Sequence, residues 1–185
     1  ISKMSNPKLP NILVTGTPGT GKTLLCSKLS EKLKLKWQDV SAIAKDKNFT
    51  DGIDDELECP ILDEDKLLDY LEPIMAKGGN VVEYHGCDFF PERWFQAVFV
   101  TTCNNTILYD RLVERKYNPK KIQSNVECEI FGALLEEAKD SYDEDVVFQL
   151  KSETQEDLEN NVRQVEEWYN KHTSSQKKKN YEKKH

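Results

Sequence analysis

Gly16-Thr17-Pro18-Gly19-Thr20-Gly21-Lys22-Thr23 constrains this chain more than any other stretch. It fits the pattern G-x-x-x-x-G-K-[ST], in which backbone N–H groups of a glycine-rich loop wrap phosphates, the lysine reaches the outer phosphates and the hydroxyl binds Mg²⁺. Ile12-Leu13-Val14 before it is a short apolar run suited to a buried parallel strand, and Leu24, Leu25, Leu29 and Leu33 after it recur at helical spacing. Strand, glycine loop and helix form the setting that a phosphate-binding loop requires. An ordinary turn between a strand and a helix would not need Lys22 and Thr23 at the helix mouth.

The same alternation runs through the rest of the chain. Lys36–Val40, Val81–His85, Ala97–Val100 and Asp145–Leu150 read as four further strands, and helices read over Asp63–Lys77, Thr106–Arg115, Glu127–Tyr142 and Thr154–Tyr169. Asp63 and Thr154 stand at cap positions, and Thr154 with Asp157 spells a capping box. Pro73 fits its helix poorly. Ile130, Phe131, Leu134, Leu135 and Ala138 are expected to share one inward face of a single helix. Ser41–Leu62 is irregular and acidic, an insert on the body, and Lys116–Gln123 is a basic connection. Strands apolar on both faces imply a parallel sheet covered on both sides, so the expected class is α/β with five central strands flanked by helices.

At 185 residues the chain suits one domain, spanning 10–170, with flexible termini at 1–9 and 172–185. Met4 reads as the natural start, and no apolar run has the length of a membrane span, so no membrane partner is expected. The five cysteines are scattered, with no C-x-x-C pair, which argues against a disulfide framework or a zinc site. Of the net charge of −7, the segment 174–185 carries +4 and the remainder −11. An acidic body disfavours broad nucleic-acid binding, while the lysine tail reads as a nuclear address, an RNA-touching arm or a solubilising end.

Phosphoryl transfer needs positioning, Mg²⁺ and positive charge over the migrating group. Lys22 is the expected phosphate clamp and Thr23 the expected Mg²⁺ ligand. A second acidic group belongs at the carboxyl end of a neighbouring strand, where open parallel sheets place their ligands. Glu83 fills that need, directly or through water; otherwise it is a strand-end ion pair. His85 is a candidate for positioning water or linking nucleotide to motion, or a plain turn residue. Arg111 and Arg115 lie one helical turn apart and are expected to close over the phosphates as part of a lid, the alternative being a solvated helix end.

With Cys59-Pro60-Ile61-Leu62-Asp63-Glu64-Asp65, Tyr84-His85-Gly86-Cys87-Asp88-Phe89-Phe90-Pro91-Glu92-Arg93-Trp94 and Cys128-Glu129-Ile130-Phe131 in view, the chain resembles nucleoside monophosphate kinases, and among them the adenylate kinase isoenzyme 6 family. The likeness runs from about Pro10 to Trp168. It implies a P-loop kinase that uses Mg²⁺ with ATP and phosphorylates AMP, with ATPase activity. It also implies a monophosphate-binding insert at 39–62, a short lid at 114–124, and ATP phosphates held at Gly19, Gly21, Lys22, Thr23 and Leu24 with help from Arg115. A nuclear location with a cytoplasmic pool and a small-subunit ribosomal protein as partner come from the same likeness, with pre-ribosomal RNA a candidate partner for the lysine tail. Two positions depart from the family pattern. Glu83 stands where Asp is expected and reaches one methylene further, and Lys45 offers the acceptor phosphate a point charge in place of an arginine fork.

Overall fold

The computed structural model describes residues 8–183. Ile1–Lys3, Met4, Lys184 and His185 lie outside the described residues.

Ile12–Thr15 form β1, the middle of a five-stranded parallel sheet. β1 pairs on one side with Asn80–Glu83 (β5) and on the other with Ala97–Thr102 (β6). Lys36–Asp39 (β2) lies outside β5, and Val147–Lys151 (β7) outside β6, giving the order β2-β5-β1-β6-β7. Because successive strand side chains alternate in direction, the apolar run of β1 feeds two cores. Ile12 and Val14 pack with Leu25 and Leu29 of α1 (Lys22–Leu33) and Val162 and Val165 of α7 (Gln155–Glu182). Leu13 packs on the other face, with Leu67, Leu71 and Met75 of α3 (Glu64–Lys77) and Ala138 of α6 (Ala133–Ser141). A third small cluster, Cys103, Leu108, Leu112 and Ile122, joins α4 (Asn105–Glu114) to α5 (Pro119–Ile130). The α/β fold expected from the alternation is the one formed.

Local differences from the sequence reading have local causes. The stretch 41–62 is ordered structure rather than irregular insert. Asp39 ends β2 one residue short of the expected strand, and its carboxylate accepts from Ala42 N at 3.1 Å, which starts α2 (Val40–Lys47). Thr50–Asp54 (β3) and Cys59–Leu62 (β4) then form an antiparallel hairpin. Asp54 Oδ1 accepts from the Glu56 and Leu57 N–H groups, both at 3.0 Å, so the acidic run is turn chemistry. The expected helix 127–142 is two helices. Gly132, at φ 64°, divides α5 from α6, and α5 begins at Pro119 inside the expected basic connection, capped by Asn118. Ile130 and Phe131, expected to face inward, are 56% and 77% exposed at that break.

Pro73 lies inside α3, which continues to Lys77 behind an Asp63 cap. The Thr154–Asp157 capping box forms as read, but α7 runs on to Glu182, so 172–182 is helix where a flexible tail was expected. Leu9, placed in the other flexible end, is tied to the body by its carbonyl, which accepts from Gly79 N at 3.2 Å. Among the described residues no helix is long and apolar enough to cross a membrane.

Candidate active site

The loop between β1 and α1 is shaped by what it rests on. A Cβ on Gly16 would lie 2.5 Å from Thr101 Oγ1, and one on Gly21 would lie 2.6 Å from Ser152 Oγ, so neither site admits a side chain without displacement. Thr17 O gathers three donors: Thr20 N at 3.2 Å, Thr20 Oγ1 at 2.7 Å and Lys22 Nζ at 3.0 Å. Lys22 also donates to Gly16 O at 2.8 Å. The lysine is therefore folded over its own loop, 8% exposed. Burial pushes its pKa down to about 8, against the pull of Glu83, and Arg115 adds to the lowering. No side chain caps the start of α1, so its first N–H groups and the helix dipole both favour an anion in front of them.

Thr23 and Glu83 form the second part of the site. Thr23 Oγ1 donates to Glu83 Oε1 at 2.5 Å, and Trp37 Nε1 donates to Glu83 Oε2 at 3.1 Å. Glu83 ends β5 and is 6% exposed. Burial raises its pKa, opposed by the Thr23 hydrogen bond, while Asp39, its register partner on β2, raises it further. A hydroxyl and a carboxylate are hard oxygen donors, the set that suits Mg²⁺ held by few protein ligands with phosphates completing its shell. Among the described residues no group of three or more His, Cys, Asp or Glu offers an all-protein metal cage.

His85 stands two residues past Glu83, its ring 4.1 Å from that of Tyr84. Although the residue reaches water, the surrounding protein desolvates the ring and holds its pKa well below the usual imidazole range, with Lys22 and Lys121 adding to the effect.

The two arginines have different positions. Arg111 is fully engaged: its guanidinium donates to Gly19 O at 3.2 Å, Ser152 O at 2.9 Å and Glu153 O at 3.0 Å. It ties the phosphate loop to the segment after β7 instead of standing free over the phosphates. Arg115 caps the end of α4, is exposed, and lines the cleft beside Glu114.

That cleft has a volume of about 790 Å³, within the range of small-molecule sites. Gly19, Gly21, Thr23 and Leu24 line it together with Trp37, Arg111, Arg115 and Ser152–Gln155. Leu24, expected beside the ATP phosphates, is 53% exposed and lines it. Sequence reasoning missed Trp37, Asp39 and Ser152–Gln155. The signal for the last group was the capping box at Thr154, which marks the turn following a strand's carboxyl end, where such sheets bind ligands. Lys45 is exposed in the last turn of α2 and does not line this cleft.

Comparison with known proteins finds relatives over most of the chain. The AAA domain family model matches residues 12–132. The adenylate kinase isoenzyme 6 homolog of Drosophila melanogaster is 63% identical over 169 residues, covering 90% of this chain and 97% of that protein. Its counterpart in Caenorhabditis elegans is 50% identical over 173 residues, covering 90% and 95%. The Saccharomyces cerevisiae homolog is 44% identical over 160 residues, covering 86% and 81%. Among solved structures, a Bacteroides thetaiotaomicron shikimate kinase superposes with a TM-score of 0.57 at 16% identity, covering 86% of this chain and 97% of that one. A Janibacter sugar kinase does so at 0.59 and 15%, covering 89% and 95%. At such identities these two share the fold.

Proposed function

Because the chain belongs to the adenylate kinase isoenzyme 6 family, we propose that it transfers the terminal phosphoryl group of ATP to AMP, with Mg²⁺ as cofactor. The family and the P-loop kinase fold support a nucleotide kinase; AMP as acceptor, Mg²⁺ and ATPase activity are the further steps of the reading. One observation carries it: Lys22 and the Thr23–Glu83 oxygen pair stand together at the uncapped start of α1, and Thr23 opens on a cleft of nucleotide size.

Lys22 leaves the carbonyls of Gly16 and Thr17 to clamp phosphate oxygens, while Gly19, Gly21 and the first turn of α1 offer N–H donors. Thr23 and Glu83 would hold Mg²⁺, which would supply positive charge beside the phosphates. Trp37 keeps Glu83 turned towards Thr23. Arg115 brings charge from the end of α4, and Arg111 fixes the loop on which the donor lies. Lys45 and the insert 39–62 supply the acceptor side. A coupled assay with and without AMP tests the reading: ADP formation should depend on AMP, and a rate indifferent to AMP would sink the transferase.

A second reading is slow ATP hydrolysis that changes the grip on a small-subunit ribosomal protein, in a nuclear protein with a cytoplasmic pool. Its support is the exposed apolar pair Ile130 and Phe131, at the end of the helix whose Glu129 touches the phosphate loop. The lysine tail is a candidate contact for pre-ribosomal RNA. Loss of ribosomal-protein binding on Phe131→Ser, with AMP phosphorylation intact, is the outcome this reading expects.

A further inference from the structure

Glu129, within the Cys128–Phe131 stretch, has no part in the chemistry above. It lies in the last turn of α5, half-buried, and its two carboxylate oxygens are taken by two separate parts of the chain. Oε2 accepts from Thr17 Oγ1 in the phosphate loop at 2.7 Å. Oε1 accepts from Cys103 N, just past β6, at 2.8 Å. No cation pairs with Glu129 in the ion pairs found among the described residues.

Placing an anion against a loop that binds phosphate is electrostatically unfavourable unless the anion does something there. What it touches is specific. Thr17 is fully buried, and its carbonyl is one of the two that hold Lys22 in waiting. Glu129 also acts on the Lys22 ammonium through space, favouring its charged form alongside Glu83. The rest of the loop is pinned from other sides, by Thr20 Oγ1 on Thr101 Oγ1 at 2.7 Å and by Arg111 on Gly19 O at 3.2 Å. Glu129 is the strut that fixes the Thr17 end, and it does so from α5, the helix that opens within the expected lid segment 114–124.

We propose that Glu129 is a positioning residue for ATP, a strut from α5 that holds Thr17 and through it the phosphate loop, so that ATP affinity depends on where α5 sits. The inference rests on the reading of Gly16–Thr23 as the ATP site. It acts through hydrogen bonds, so an amide should largely serve in place of the carboxylate. In Glu129→Gln the amide oxygen can accept from Cys103 N while the NH₂ group donates to the Thr17 hydroxyl, which accepts equally well.

The test measures ATP dissociation constants, the KM for AMP and kcat on the full chain for Glu129→Ala, Glu129→Gln, Thr17→Val and the double variant Glu129→Ala with Thr17→Val. Glu129→Ala and Thr17→Val should each weaken ATP binding about tenfold, the loss expected for one charge-assisted hydrogen bond. The KM for AMP should change little, Glu129→Gln should stay within about threefold of the parent, and the double variant should be no worse than the worse single one. ATP binding within about twofold of the parent in Glu129→Ala, or losses that multiply in the double variant, would overturn the proposal. If Glu129→Ala does not fold, Thr17→Val and Glu129→Gln still decide it: Thr17→Val binding ATP like the parent overturns the strut. An AMP-independent parent enzyme would overturn the transferase reading alone, since these ATP affinities are read without an acceptor.

Discussion

Lys22 sits on the carbonyls of Gly16 and Thr17, in the place that phosphate oxygens would draw it from. Replacing it removes the cation but only two hydrogen bonds, and it relieves a charge that burial disfavours. Lys22→Ala is therefore expected to lower turnover by about 10³-fold, the scale of a lost charge-stabilising donor, while the circular dichroism and melting temperature stay near those of the parent. Turnover that survived the change would refute the assignment of the loop. At this scale the motif residues were legible because their spacing is itself the chemistry. The contacts that orient them were not, even for Arg111, which was expected over the phosphates and holds Gly19 O instead. Trp37, Arg111 and Glu129 reach Glu83, Gly19 and Thr17 across 46, 92 and 112 positions of sequence, and no local pattern encodes such a meeting.

Elements were legible where one period governs them. The strands β1, β5 and β6 of the central sheet were located from short apolar runs, and α3 because its cap and stripe agree. The break between α5 and α6 was hidden by an apolar pattern that passes through it, with Gly132 as its only mark. That glycine is at φ 64° with open space around the missing side chain, so a substitution meets backbone strain and no clash. Gly132→Ala should cost about 1 kcal/mol, a fall of about 2–4 °C in Tm by calorimetry. No shift would mean that the break relaxes without a left-handed residue.

The start of α7 gives a pH dependence. Asp157 accepts from Glu153 N and Thr154 N at 3.0 and 3.1 Å, and these backbone bonds, the Glu153 one foremost, hold its carboxyl below the usual range. A depressed folded pKa contributes stability above the unfolded value of about 3.9, lost as the pH falls through the lower folded value. Asp157→Asn should therefore melt below the parent at pH 7, with the gap closing below about pH 4. Thermal melts across that range check it, and a gap unchanged at pH 3 would refute the assignment.

At the scale of the whole molecule, the sheet brings the carboxyl ends of β1, β5, β6 and β7 to one edge, and the cleft forms there. The last buried residue of α7 is Tyr169, so the helix beyond it contributes no core. A chain ending at Thr173 is expected to keep its melting temperature within about 2 °C, a surface-sized effect, and to keep its KM for ATP. A marked loss of either would show that the distal helix packs on the body in solution.

The length of α7 has an electrostatic consequence. The helix starts beside the cleft, where Gln155 is a wall residue, and reaches Lys177–Lys179 twenty-two to twenty-four positions later. At about 1.5 Å per residue that is roughly 33–36 Å along the axis, about four Debye lengths in physiological salt. The lysine charges are thus insulated from the nucleotide by distance and ions. A polyanion can engage or leave that end without perturbing the field at Lys22, and the salt dependence of ATP binding should be the same with the tail or without it.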